Sequence, residues 1–242
     1  MSKGDRMKKE NIDLTQLEVI ERSQEFFDAF NTFMISSDVK VFGKLLARAL
    51  LYDKVKNIPG DIIECGVFKG TGLFAFLKLK SYYNPHTIKK VLGFDYFDSD
   101  ALLQSLNGID KEAMSVLFGA REFRHKEDYD RLLHKKVIEC GFKEHEFDLI
   151  KGNISETMPK YFGTRPGMKV SLLYIDVDLG EPTYDILCAC WDKMSKGGIV
   201  VFDEYAHHQW SESLGADKFF KNKDVTIKTL DYYGPTAYVV KK

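Results

Sequence analysis

Residues 171–205, SLLYIDVDLGEPTYDILCACWDKMSKGGIVVFDEY, constrain the fold more than any other stretch. Two apolar runs, 171–175 and 198–202, end abruptly in acids: Asp176 and Asp178 after the first, Asp203 and Glu204 after the second. Between them lies an amphipathic segment long enough for a helix. A strand–helix–strand unit of this kind makes a right-handed parallel crossover, so both strands end at the same edge of a sheet. Ligands bind at that edge in parallel sheets. Two unit charges ~4 Å apart repel by roughly 4 kcal/mol at an effective dielectric near 20. The acid cluster therefore calls for a bound divalent metal, a shared proton or a looser arrangement. Aspartates that merely cap helices and end strands are the plain alternative.

The rest of the chain continues the alternation. Helical patterns cover residues 14–30, with Asp13 as the capping candidate, and 39–56. A strand at 61–67 is followed by a helix at 70–82 and a strand at 91–97. Residues 98–127 are charged and carry no strand pattern; 128–140 read as helix, 147–151 as strand and 155–162 as a short helix. After the two acid-tipped strands come a helix near 211–222 and strands at 225–232 and 236–240, separated by Gly234 and Pro235. Alternating strands and helices argue for an α/β fold with a doubly wound, mostly parallel sheet. The closing pair is too tightly connected for a crossover, which makes it an antiparallel hairpin and brings the sheet to seven strands. Residues 1–58 then form an N-terminal helical extension, 59–242 the main domain, and 98–127 either a lid over the site or an ordinary helical insert.

With 242 residues, 44% of them hydrophobic, the chain can bury a full α/β core. A net charge of -1 gives no reason to expect a nucleic acid or an anionic membrane as partner. No apolar run spans a bilayer and no signal-peptide pattern opens the chain, so the expected location is the cytoplasm. Cys65, Cys140, Cys188 and Cys190 form no CxxC pair and read as small core or near-core residues; Cys188 and Cys190 point in different directions on their helix. His207 and His208 either assist at the acceptor or sit in an exposed loop, and the other histidines look superficial. Phe26, Phe27, Phe30 and Phe33 recur at near-helical spacing and read as core or a dimer surface rather than a ligand box.

The glycine-rich turn Glu64-Cys65-Gly66-Val67-Phe68-Lys69-Gly70-Thr71-Gly72 reads two ways. From Glu64, an acid at a strand end precedes glycines that let a ligand approach backbone N–H groups. That suits S-adenosylmethionine, whose amino-acid end carries an ammonium and a carboxylate. From Gly70, the run through Ala75 fits the dinucleotide fingerprint, with Asp95 at the right distance for a ribose hydroxyl. The acid cluster and the C-terminal hairpin favour the methyl donor, but the motif alone leaves both readings open. A tight turn with nothing bound is the third.

ECGVFKGTG, FDYFDSD, KGNISETMP, YIDVDLGEPTYD and SKGGIVVFDEY, in this order and spacing, resemble the macrocin O-methyltransferase-like family over roughly residues 59–220. The sheet layout is likewise similar to that of S-adenosylmethionine-dependent methyltransferases. The resemblance implies a donor- and Mg²⁺-dependent enzyme that methylates a hydroxyl of a sugar, a nucleotide-sugar or another sugar-containing small molecule, and that forms a homo-oligomer in some cases. Carried over by position, Asp176, Asp203 and Glu204 are the implied metal ligands and Asp178 the base. Glu64, Gly66 and Gly70 would hold the methionine end, Asp95 the ribose and Asn153 the edge of the adenine, with Asp176 also bordering the donor. Three positions depart from the family pattern. Gly180 replaces a Tyr, which points to a reshaped acceptor pocket; Glu204 replaces an Asp; and no Gly-Leu-Pro turn follows Asp95. Oxygen-only ligands favour magnesium over zinc. A nicotinamide-dependent oxidoreductase and a non-catalytic binding module of the same fold are the competing functions.

Overall fold

A computed structural model of the chain describes residues 23–36, 39–121, 128–230 and 234–242. Its centre is a seven-stranded sheet in the order β3-β2-β1-β4-β5-β7-β6. Strands β1 (Asp61–Cys65), β2 (Val91–Asp95), β3 (Phe147–Lys151), β4 (Val170–Ile175) and β5 (Met194–Phe202) run parallel; β7 (Ala237–Val240) pairs antiparallel with both β5 and β6 (Lys228–Thr229). The sheet is the one the sequence predicts, with the closing strand wedged between β5 and β6.

The period of two along each strand sends side chains to two separate cores. Ile63, Leu173, Ile175, Val200 and Phe202 face one layer, and Ile62, Leu172, Tyr174, Ile199 and Val201 face the other. Helices α7 (Ile154–Gly163), α8 (Gly180–Cys190) and α9 (Glu212–Phe220) cover the first face through residues such as Met158, Leu187 and Phe220. Helices α2 (Val39–Val55), α3 (Thr71–Tyr83) and α6 (Tyr129–Glu139) cover the second through Leu51, Phe76 and Leu133. Burial on both faces is why these strands read as near-continuous apolar runs. The strand order reverses between β1 and β4, which opens a crevice at their carboxyl ends.

Several boundaries differ from the sequence reading. Asp13 and residues 14–22 of the first helix lie outside the described residues; α1 (Gln24–Met34) runs beyond residue 30 and is capped by Ser23, whose Oγ accepts from the Phe26 N–H. The region 98–121 forms two helices, α4 (Ser99–Ser105), capped by Asp98, and α5 (Gly108–Arg121). β5 starts four residues earlier than expected. Gly197 and Gly198 look like a turn, yet they are glycines because Gly197 has φ +79° and a Cβ on Gly198 would meet the Ser195 carbonyl at 2.8 Å. β6 is far shorter than 225–232, and residues 231–233 lie outside the description. Both β6 residues are exposed, as suits a short edge strand with no helix over it. Cys65 and Cys190 are buried as expected, whereas Cys140 and Cys188 are exposed: each falls on the outer side of its helix end.

Candidate active site

A cavity of about 790 Å³ opens at the carboxyl ends of the parallel strands. Glu64, Gly66, Asp95, Asn153, Asp176, Asp178, Asp203 and Glu204 all line it. Gly70 stands behind the wall: its φ is +91°, and a Cβ there would press on Leu133 at 2.7 Å, so it serves the turn rather than a contact. Among the described residues, the non-glycine residues with positive φ are Phe68, Phe97, Asp178 and Ala206, each a few residues beyond the end of a parallel strand. Strained backbone gathered at one rim is typical of a functional edge.

The wall around Glu64 and Gly66 is built by close approaches. Glu64 is 1% exposed and lies against Gly72, where a Cβ would stand 1.7 Å from Glu64 Oε1. A Cβ on Gly66 would stand 1.8 Å from the Asp176 carbonyl oxygen, so Gly66 lets the ends of β1 and β4 meet. Burial pushes the Glu64 carboxyl up to about 7, against the pull of the Arg48 guanidinium. Arg48 Nη2 lies 3.7 Å from Glu64 Oε1, and the guanidinium sits over the Tyr174 ring, 5.0 Å from its centroid. Even so, Arg48 Nε and Glu64 Oε2 are buried with no hydrogen-bond partner among the described residues. Such orphaned groups are costly and mark a place for a ligand.

The turn itself is already engaged. Asp95 Oδ2 accepts from the Val67 and Phe68 N–H groups at 2.8 and 2.9 Å, and its Oδ1 accepts from Phe97. The Gly66 N–H donates to the Phe94 carbonyl and that of Gly70 to the Val67 carbonyl. The expectation that these amides receive an anionic ligand end is therefore not met at positions 66, 67, 68 and 70. Asn153 caps α7, its side chain accepting from the Ser155 N–H.

The acid rim sits beside this wall. Asp203, 2% exposed, has both oxygens taken: Oδ2 by the Lys44 ammonium at 2.5 Å and Oδ1 by the Tyr174 hydroxyl at 2.6 Å. Burial, then Asp203, pushes the Asp176 carboxyl well above its ordinary range, with Lys44 opposing. Burial alone would lower the Lys44 pKa, but Asp176 and Asp203 together raise it. Glu204 is pushed up by burial and by Asp203. Asp178 has φ +64°, so the extended geometry that would align it with Asp176 ends at β4. Aspartate tolerates this left-handed conformation better than most residues. Among the described residues, no group of three His, Cys, Asp or Glu is placed to hold a metal ion. The three implied ligands share a rim with the right oxygen chemistry, but as arranged they do not fit a metal: the cation among them is Lys44.

A roof of α4 and α5 borders the cavity. Met114 and Phe118 of α5 pack with Leu179, and Leu102, Leu106 and Trp210 border that cluster. It is pinned by a relay in which the Ser211 hydroxyl donates to Asp110 Oδ1 and accepts from the Gly180 N–H, both at 2.8 Å. Gly180 does not line the cavity. A Cβ there would meet the Ser211 carbonyl at 2.7 Å, and one on Gly215 would stand 1.9 Å from the Gly180 carbonyl. Its missing side chain serves the α8–α9 contact, which corrects the expectation of a reshaped acceptor pocket. From the phenylalanine stripe, Phe33 does line the cavity, while Phe26, Phe27 and Phe30 are exposed. His207 is half-buried and stacks on the exposed His208, with ring centroids 5.0 Å apart.

Sequence reasoning missed Lys44, Arg48 and Glu212. The first two had a signal: Lys40, Lys44 and Arg48 are spaced by four on an otherwise apolar helix, so they share one face. Glu212 had none. It is fully buried, accepts the Glu204 N–H at 3.1 Å through Oε1, and leaves Oε2 unpartnered; burial and then Asp176 push its carboxyl well up.

The sequence profile of the macrocin-O-methyltransferase (TylF) family matches residues 44–235. The chain belongs to this family. Among similar family proteins, demethyldecarbamoylnovobiocin O-methyltransferase of Streptomyces niveus is 24% identical over 155 residues, covering 62% of this chain and 54% of that protein. Mycinamicin III 3''-O-methyltransferase of Micromonospora griseorubida is 24% identical over 154 residues, covering 62% and 56%. The chain thus spans about half the length of these relatives. Among solved structures, CalS11, described as a TDP-rhamnose 3'-O-methyltransferase of calicheamicin biosynthesis, superposes with a TM-score of 0.65 at 25% identity, covering 89% of this chain and 85% of that one. The O-methyltransferase NovP gives a TM-score of 0.65 at 18% identity over 83% and 80% of the two chains, a likeness of fold.

Proposed function

We propose that this chain transfers the methyl group of S-adenosylmethionine to a hydroxyl of a sugar-containing small molecule. One observation carries the donor: the unpartnered Glu64 Oε2 and Arg48 Nε in the same wall. An ammonium and a carboxylate on one carbon are the complement of that pair. A dinucleotide offers no ammonium, and its pyrophosphate would meet turn amides that Asp95 and neighbouring carbonyls already hold. Asp95 and Asn153 both border the cavity, where the ribose and the adenine would lie.

In transfer, the acceptor oxygen attacks the methyl carbon, the carbon–sulfur bond breaks, and its electrons leave on sulfur as a neutral thioether. The hydroxyl proton goes to the Asp178 carboxylate, which removes it as the new bond forms. The cavity walls hold donor and acceptor in line, and the roof of α4 and α5 excludes water. The sugar acceptor is supported by the names of the family relatives, each a methyltransferase of a natural product. Magnesium dependence is part of the proposal on the chemistry of Asp176, Asp203 and Glu204 alone, and it requires Lys44 to yield its place. In this reading α2 of the N-terminal extension lends the site Lys44 and Arg48, and α4 and α5 act as the lid.

Calorimetric titration with S-adenosylhomocysteine and with NAD tests the donor. Binding of the first and not the second is expected; tight NAD binding with no response to the thioether product would overturn the proposal. Among the described residues no helix is long and apolar enough to cross a membrane.

A further inference from the structure

Helix α1 has 11 residues, and none of them is buried. Isolated helices shorter than ~12–15 residues barely hold in water, so a helix like this one needs its apolar face packed on something. That face is large: Phe26, Phe27, Phe30 and Met34 are each about half exposed. It continues onto α2, which shows three lines of side chains. Leu51 and Val55 go to the core, Val41 and Leu45 line the cavity, and Phe42, Leu46 and Leu50, spaced by four, form an outer exposed line. Phe33 joins the two helices, its ring centroid 6.4 Å from that of Phe42. Among the described residues, more than half of the large hydrophobics left exposed lie between positions 26 and 50.

At about 150–200 Å² for a large apolar residue laid bare, their exposed fractions come to roughly 1,000 Å². Monomers rarely show an apolar patch above a few hundred Å², and a standard interface takes ~800 Å² from each partner. Charge then selects the partner. α1 carries Glu25 and Asp28 and no basic residue, whereas α2 carries Lys40, Lys44, Arg48 and Lys54 against Asp53 alone. Under a two-fold axis each copy presents both faces, so an acidic apolar helix and a basic apolar helix on one chain complement each other.

We infer that α1 and the outer line of α2 seat a second copy of this chain, with α1 of each protomer lying along α2 of the other. The inference goes beyond the proposed methyl transfer and does not depend on it. It reaches the site nonetheless. Phe33, Val41 and Leu45 belong to the same two helices and line the cavity, so association fixes that wall.

Sedimentation equilibrium of the full chain, unaltered and with Phe27→Glu and Phe30→Glu together, is the test. Both positions are exposed and neither lines the cavity. A dimer is expected for the unaltered chain at micromolar concentration, and the double change should weaken it by more than about a hundredfold, as the loss of two central aromatic anchors does. A monomer at every concentration would overturn the inference and hand the face to residues 1–22 of the same chain or to another protein. A dimer untouched by the double change would place the interface elsewhere and refute it as well. If the variant does not fold, hydrogen exchange on the unaltered chain decides. Amides of residues 26–50 should gain protection as the concentration rises through the micromolar range, and equal exchange throughout would refute the pairing.

Discussion

The two ends of the parallel sheet treat buried polar groups in opposite ways. At the amino edge, the Lys89 ammonium donates to the carbonyls of Ile58 and Gly60 and to Ser171 Oγ, the last two at 2.8 and 2.9 Å. Ser171 in turn donates to the Gly60 carbonyl, so the cluster closes on itself. At the carboxyl edge, Arg48 Nε, Glu64 Oε2 and Glu212 Oε2 are buried with no hydrogen-bond partner among the described residues, and Phe68, Phe97, Asp178 and Ala206 hold left-handed backbone. A satisfied network rigidifies, while an unsatisfied one is a cost that only a ligand relieves. The same sheet is thus finished for stability at one end and left incomplete for binding at the other.

If that division is right, changes at the two ends should separate activity from stability. The largest effect is expected from Asp178→Asn. Steady-state methyl transfer should show kcat reduced by about 10² to 10⁴, with donor affinity unchanged and thermal stability no lower. Unchanged turnover with the true acceptor would remove Asp178 from the role of base. Lys89→Met is the mirror image. It removes the donor from the Ile58 carbonyl, while the Gly60 carbonyl keeps that of Ser171; an acceptor left unsatisfied costs about 1–3 kcal/mol, and each kcal/mol lost lowers Tm by about 2–4 °C in a chain of this size. Turnover per folded molecule should stay as it was; a loss of kcat at full folding would blur the division.

The smallest effect sharpens the comparison through pH. Glu64 titrates near 7 in the fold, above its usual value. In the pH range between its unfolded and folded values the folded chain holds the extra proton, so this group's contribution to stability falls as pH rises toward 7. The donor ammonium needs the carboxylate ionised. Affinity for S-adenosylhomocysteine should therefore strengthen by up to about tenfold per pH unit below 7 and level off above it. Glu64→Gln should bind weakly with no slope. A wild-type titration that is flat from pH 6 to 8 would remove Glu64 from donor recognition.

Most of the fold was legible because the strands are buried on both faces and end sharply. Residues 147–151 carry Phe147, Leu149 and Ile150 between charged neighbours, and their strand was read to the residue. The acid rim was legible for the same reason, since the acids mark where the apolar runs stop. What escaped reading depends on long-range contact. β6 contributes two exposed residues, and nothing local distinguishes them from their neighbours. Lys44 and Arg48 reach the rim from a helix more than a hundred residues away from Tyr174, so only their spacing hinted at a shared face. Gly180 was misread because its reason lies on another helix, at Gly215.

That last contact has a consequence for how the protein can change. The backbone of α8 touches the backbone of α9 with no side chain between them, and the same junction carries the ties from Gly180 to Ser211 and from Glu204 to Glu212. The loop bearing Asp178 and the loop bearing Asp203 are therefore riveted together, and the spacing of the chemical groups cannot drift without breaking the rivet. Novelty in substrate choice has to arise elsewhere. The roof residues Leu102, Leu106 and Met114 belong to helices that meet the rim through the Asp110–Ser211 hydrogen bond and apolar packing on Leu179, so they can vary while the chemistry below stays in register.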